Sequence, residues 1–340
     1  MRQGKAAGLA LLLIATPALL IATPAAARTL EVGPGLSYDR PSAAAAVAEA
    51  GDTVLIAPGE YFDCAVWRAD RLTIAAASGT VTITDAACEG KAAFVIEGSG
   101  ITVRGLGFAR IRVPEDNGAG IRADGRDLTV RDSRFVNTQM GILGASPGGG
   151  FLKVIGCAFI EVGGSLTGRI NTAVRATGYD LVRIERSSFT QARGGGDVSV
   201  EGARLELVGD TLADEGGHMA GPMVLAQGGA LLLEGNTVEL AAGAAARPGV
   251  VLAVGEPTAI AVRGNTLRDA GAGATPLLRN WTGQDVAERD NIVPPGGVAV
   301  TDAGIAWHRL RAAAAEVRDT LHDLYRRARH IAAVVAHRFG

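Results

Sequence analysis

Histidine, lysine and aromatic side chains are scarce in this chain, and their scarcity removes several chemistries before any pattern is sought. Aromatics make up 4% of the 340 residues, so flat stacking platforms for sugar rings are few; Trp67, Tyr179 and Trp281 are the candidates. Of five histidines only His218 precedes residue 307. It sits in the glycine-rich stretch Glu215-Gly-Gly-His-Met219 and reads as a loop residue. Beyond residue 27 only two lysines remain, Lys91 and Lys153. Three cysteines are too few and too far apart for a zinc pattern. No run of carboxylates has calcium-loop spacing, and the nonapeptide Gly-Gly-x-Gly-x-Asp repeat is absent. No metal and no cofactor is implied.

Charge is equally spare. The chain holds 33 Lys plus Arg and 35 Asp plus Glu. Without residues 1–27, which carry two basic residues, the balance is 31 − 35 = −4. The segment from Gly304 has seven basic and three acidic residues, leaving 24 − 32 = −8 for the body. A mildly acidic body offers no general attraction for nucleic acid.

Long apolar runs are missing except at the start. Arg2 and Lys5 precede the short apolar stretch Ala6 to Leu20, Pro17 and Pro24 interrupt it, and Ala25-Ala-Ala27 fits a cleavage site before Arg28. Residues 1–27 therefore read as a secretory signal cut after Ala27, which directs the protein to the periplasm or the cell exterior.

What is present is repetition. Leu128-Thr-Val-Arg-Asp-Ser-Arg-Phe135 is one copy of an eight-residue phrase: apolar at positions one and three, a turn pair at five and six, a large apolar residue at eight. Copies start at Ile101, Leu152, Val182, Leu205, Leu231, Ile260 and Val286, and end on Phe108, Phe159, Phe189, Leu212, Val238, Leu267 and Val293. The spacing of 23 to 30 residues is that of a solenoid. Apolar positions alternate as in a strand. The turn pairs, such as Gly209-Asp210, Gly235-Asn236 and Gly264-Asn265, use residues that tolerate left-handed backbone. A second strand phrase follows each first one, as in Gly120-Ile-Arg-Ala-Asp-Gly125, Ala173-Val-Arg-Ala-Thr-Gly178 and Met223-Val-Leu-Ala-Gln-Gly228. Each coil therefore holds at least two short strands, and inward side chains one coil apart should stack in columns.

On these residues, from about Thr53 to Pro294, the chain resembles the pectate-lyase-like (pectin-lyase-like) superfamily. The stretch Ala43-Ala-Ala-Ala-Val-Ala-Glu-Ala-Gly-Asp52, read as a short capping helix, and the following Thr53-Val-Leu-Ile-Ala-Pro-Gly-Glu-Tyr61 strengthen the resemblance. It implies an all-β, single-stranded right-handed parallel β-helix of about eight to ten coils. The domain reading is a signal over 1–27, an N-terminal cap over 28–52, the β-helix over 53–303 and a long C-terminal amphipathic helix over 304–340. Such folds host lyases, hydrolases, epimerases and non-enzymes.

Cys64 and Cys88 lie 24 residues apart, close to one coil, and are expected to form a disulfide in an oxidising compartment. Cys157 occupies the column that elsewhere holds Ser133, Ser187, Asp210, Asn236, Asn265 and Asn291, and reads as a small inward filler.

Function is expected on the outward side of the second phrase. Its outward positions hold Arg122, Leu143, Arg175, Ser199, Leu225 and Leu252 in one column, and Asp124, Ala145, Thr177, Glu201, Gln227 and Val254 in the next. Arg122, Asp124, Arg175, Ser199, Glu201 and Gln227 are the candidate substrate-binding residues. Removing the C5 proton of a uronate needs a base, and the resulting enolate needs a cation; Arg175 with Asp197 or Glu201 is the candidate catalytic set. The same strip also reads as a solvated sheet with ordinary cross-strand charge pairs. The resemblance implies a His-x-Ile-Tyr phrase on one coil and a Gly-His-x-Ile-Lys-Ser-Arg phrase on the next. Here those places hold Thr172, Arg175, Gly196, Ser199 and Glu201, so the frame is kept and the expected polar residues are replaced. The expectation is a non-catalytic β-helix that binds a polysaccharide or an envelope partner. The alternative is a polysaccharide lyase or uronate epimerase acting on an acidic glycan.

After Pro294-Pro-Gly-Gly297, a linker signal, the periodicity turns helical: Trp307, Leu310, Ala314, Val317, Leu321, Leu324, Ala328, Ile331 and Val335 recur at three and four. Arg311, Arg318, Arg326, Arg329 and Arg338 face the other way. Three roles stand for such a helix: a cover for the open end of the solenoid, a partner helix, or a membrane-surface helix.

Overall fold

A computed structural model of the protein describes residues 27–166, 171–215, 221–242, 249–271 and 275–302. The proposed signal, His218 and the proposed C-terminal helix lie outside the described residues. Three parallel sheets, of 11, 9 and 10 strands, run the length of the molecule. The chain visits them in turn. One lap runs Leu128–Arg131 in the first sheet, Arg134–Val136 in the second and Met140–Ala145 in the third, and the next lap begins at Phe151–Ile155. Among the described residues the result is an all-β parallel solenoid of about ten turns with one short helix.

The repeat phrase sets the register. In the first sheet Leu128 pairs with Leu152, then Val182, Leu205, Leu231, Ile260 and Val286 follow in the same column. Position five of the phrase is left-handed in every copy: Gly105, Asp132, Gly156, Arg186, Gly209, Gly235, Gly264 and Asp290 have φ between 48° and 71°. The chain thus turns sharply from the first sheet into the second. Position eight then points inward. Phe108, Phe135, Phe159 and Phe189 stack with ring centroids 5.1, 4.8 and 4.7 Å apart and interplanar angles of 12°, 4° and 2°. Room for this column comes from the third sheet. A Cβ on Gly120 would lie 2.6 Å from the Phe135 ring, and one on Gly141 2.6 Å from the Phe159 ring.

Position six builds a polar column inside the core. The backbone N–H of Asp210 donates to Asn236 Oδ1 at 2.9 Å, that of Asn236 to Asn265 Oδ1 at 3.0 Å, and that of Asn265 to Asn291 Oδ1 at 3.0 Å. Cys157 fills one step of this column at 2% exposure; burial pushes its thiol up to about 12, which suits an inert filler.

The N-terminal end differs from the sequence reading. The described helix is Pro41–Ala45, five residues, shorter than the one read from the alanine run. The chain before it is a strand, Thr29–Val32, paired with Thr53–Ile56; two inward residues, Leu30 and Val32, are buried. Cys64 and Cys88 are bonded, which fastens this end. At the other end Val262 is followed in its column by Glu288, exposed in Val286–Arg289, the last strand of the first sheet. A carboxylate where every earlier coil has an aliphatic residue discourages a further strand from pairing there.

Candidate functional site

The outward columns of the third sheet fall into two zones. Arg122 pairs Leu143, Arg175, Ser199 and Leu225 in successive coils, and Thr177 pairs Glu201 and Gln227. Adjacent strands are ~4.8 Å apart, so these side chains form a continuous strip. At its N-terminal end the charges are spent on one another. Arg122 Nε donates to Asp124 Oδ1 at 2.5 Å, Lys91 Nζ lies 3.7 Å from Asp124 Oδ2, and Lys91 also bonds Glu89 at 2.8 Å. Cross-strand pairing accounts for this zone.

Three coils further on, a groove of about 420 Å³ opens where the second sheet gives onto the third. Its rim is Gly194, Gly195 and Gly196 on one coil and Gly221 and Pro222 on the next. Arg175, Ser199 and Gln227 supply its polar groups, and Val198 and Leu225 its floor. The strands position the site by simple parity: Val174, Val198 and Val224 face the core, so the next residues, Arg175, Ser199 and Leu225, face out. The glycines are a packing requirement. A Cβ on Gly196 would lie 2.6 Å from the Pro222 carbonyl oxygen, and one on Gly194 2.4 Å from that of Gly163.

Electrostatically this zone is the opposite of the first. The Arg175 guanidinium is exposed and makes no hydrogen bond or ion pair among the described residues, and Ser199, Glu201 and Gln227 make none through their side chains. Four polar groups on three adjacent coils are therefore left unused by the fold.

Of the residues singled out from sequence, the structure gathers Arg175, Ser199 and Gln227 in the groove and sets Glu201 beside it on the strip. Arg122 and Asp124 lie apart, tied together. Asp197 is not on the surface: it is 1% exposed, and its backbone N–H donates to the Met223 carbonyl at 2.7 Å. Strand parity placed it outward, but the chain is still rounding the corner there and turns it in. Trp67 and Tyr179 are packed at 0% and 4% exposure, so neither is a sugar platform. Thr172, Pro222 and the glycine rim complete the groove; the Gly194-Gly-Gly196 run was the available signal for the rim. Among the described residues no group of three His, Cys, Asp or Glu side chains is arranged to hold a metal ion.

No family model matches the chain, and no curated protein matches it in sequence. Solved structures do match. An alginate lyase of the PL6 family, AlyGC, superposes with a TM-score of 0.50 at 18% identity over 81% of this chain. The chain shares with it the right-handed parallel β-helix fold. The match to pectate lyase Pel9A covers 81% of this chain at 11% identity with a TM-score of 0.43. An alginate lyase from Paenibacillus sp. str. FPU-7 covers 78% at 14% identity with a TM-score of 0.42. The match with this chain spans 40% of the length of AlyGC, 77% of Pel9A and 99% of the Paenibacillus protein.

Proposed function

We propose that this is a secreted or periplasmic, non-catalytic β-helix that binds an acidic polysaccharide in the groove around Arg175. One observation carries the reading: Arg175, Ser199, Glu201 and Gln227 stand unpaired on neighbouring coils, whereas the charges of the adjoining zone neutralise each other. A guanidinium matches a carboxylate in a planar, two-pronged hydrogen bond. Ser199 and Gln227 suit sugar hydroxyls, and Leu225 with Pro222 offers an apolar surface to a sugar's C–H face. The strip repeats by one coil at a time, which suits a polymer lying along the sheet. The Cys64–Cys88 disulfide fits an oxidising compartment.

Binding without turnover is favoured by the make-up of the groove. Uronate cleavage or epimerisation needs a base aimed at the C5 proton. Among the described residues the groove lining contains no His, Lys or Tyr, and Asp197 is buried.

The test is an array of oligouronates and neutral glycans, run beside ultraviolet detection of unsaturated uronate. Retention on acidic glycans with no absorbance rise, and loss of retention in Arg175→Ala, is expected. An absorbance rise dependent on Arg175 would replace this reading with a lyase, and absence of retention on every acidic glycan would remove it.

A further inference from the structure

The clearest unexplained arrangement away from the groove is the set of donors around Asp52. This carboxylate is 2% exposed and lies under the first strand. Its Oδ1 accepts the backbone N–H of Arg28 at 3.0 Å and the Arg28 Nε–H at 3.3 Å. Its Oδ2 accepts Arg28 Nη2 at 2.6 Å and the Glu49 backbone N–H at 2.9 Å. The same guanidinium donates to the Val47 carbonyl at 2.9 Å and lies 3.5 Å from Glu49 Oε1. The Arg28 carbonyl accepts from Thr53 N–H at 2.8 Å. Arg28 is thus held at its side chain, its carbonyl and its nitrogen, while Ala27 before it is exposed.

The local charge does not balance in an uncut chain. Two carboxylates, Asp52 and Glu49, face one guanidinium. We infer that Asp52 is the receptor for a processed N-terminus: hydrolysis of the Ala27–Arg28 bond puts an α-ammonium where the Arg28 amide nitrogen now lies, and Asp52 clamps it. In that step water adds across the peptide bond, Ala27 leaves as a carboxylate, and the freed Arg28 amine takes up a proton. A signal peptidase supplies the catalysis, before the first coil closes. The cut then converts an amide-to-carboxylate hydrogen bond at 3.0 Å into an ion pair between ammonium and carboxylate, and two positive groups meet two negative ones.

The inference rests on the secretory reading of residues 1–27, and the two are tested separately. Mass spectrometry of exported protein reports the cut directly: a chain beginning at Arg28 is expected, and any other start overturns the inference. Stability is then compared between the full mature chain starting at Arg28 and the same chain preceded by Ala26-Ala27, each with Asp52 or with Asp52→Asn. Asp52 accepts from the Arg28 nitrogen, and the charged and titratable groups around the neighbouring guanidinium are Asp52, Glu49 and the Tyr38 hydroxyl. A paired α-amino group keeps its proton more tightly than its ordinary value near ~8. Its contribution is therefore complete below that value and is lost as pH rises through the raised folded value. At neutral pH the Arg28-start chain should melt roughly 2–4 °C higher. That margin should shrink as pH is raised past ~8, and it should vanish in the Asp52→Asn pair. Equal melting of the two Asp52 chains at neutral pH overturns the inference. So does a margin that survives Asp52→Asn; where Asp52→Asn does not fold, Arg28→Lys, which keeps the backbone contact, should retain the margin, and its loss there overturns the inference.

Discussion

Asp210 stands one coil before Asn236 in the internal polar column, donating its N–H to Asn236 Oδ1 at 2.9 Å while its own carboxyl accepts the N–H groups of Ser187 at 2.7 Å and Val208 at 3.1 Å. Three later coils fill this place with asparagine, whose Nδ2 also reaches a backbone carbonyl: Asn236 to Leu207, Asn265 to Leu233, Asn291 to Val262. Asp210 is the one member of that run able to take a charge.

Burial raises the Asp210 carboxyl from its ordinary value to about 7. A carboxyl that holds its proton more tightly when folded stabilises the fold most below its unfolded value. That advantage is lost as pH rises from the ordinary carboxylate range to about 7, and it is gone above. Asp210→Asn should remove this slope and raise unfolding free energy at pH 8 by roughly 1–3 kcal/mol. Urea titrations of both proteins across that window measure it.

The phenylalanine column is fully buried in the core. Phe159 touches Phe135 on one side and Phe189 on the other, at 4.8 and 4.7 Å between centroids. Phe159→Ala should lower unfolding free energy by about 3–5 kcal/mol, read by the same titration. Because coils contact only their neighbours, hydrogen exchange should accelerate first in the coils flanking residue 159.

Cys64 and Cys88 close a span of 24 residues at the N-terminal end. Replacing both by serine should cost roughly 2–4 kcal/mol. Amide exchange should show the loosening concentrated in Ala65–Trp67 and Ala92–Ile96, the strands beside the bond.

The groove rim gives a prediction of a different kind. Gly196→Ala places a methyl group 2.6 Å from the Pro222 carbonyl oxygen, so the rim must shift. Glycan retention should fall several-fold while far-ultraviolet circular dichroism stays unchanged.

Much of this was legible in the residues because a solenoid turns sequence spacing into contact. The phrase starting at Leu128 and its copies gave the first-sheet register, the left-handed turn and the phenylalanine column, since each feature recurs once per lap. The second sheet was not legible as strands: Arg134–Val136 and Ala158–Ile160 are three residues long, too short for an alternation to show. The first strand, Thr29–Val32, carries no copy of the phrase and was read within the cap. At the candidate site, parity found Arg175, Ser199 and Gln227, which lie inside strands. It misplaced Asp197, which lies at a corner where the chain has not yet settled into the sheet. That Arg122 is bound to Asp124 while Arg175 is free depends on neighbours across coils and on side-chain reach, which spacing alone does not encode.

The central claim is that Arg175, and not the charged zone beside it, takes the carboxylate of an acidic glycan. Calorimetric titration of one oligouronate into the wild-type protein, Arg175→Ala and Arg122→Ala tests it most directly. Arg175→Ala should weaken binding by roughly 10- to 100-fold, as loss of a charge-assisted contact does, and Arg122→Ala should leave it within about two-fold, as for a surface pair already satisfied by its own partner. Equal weakening by both, or by neither, would contradict the account.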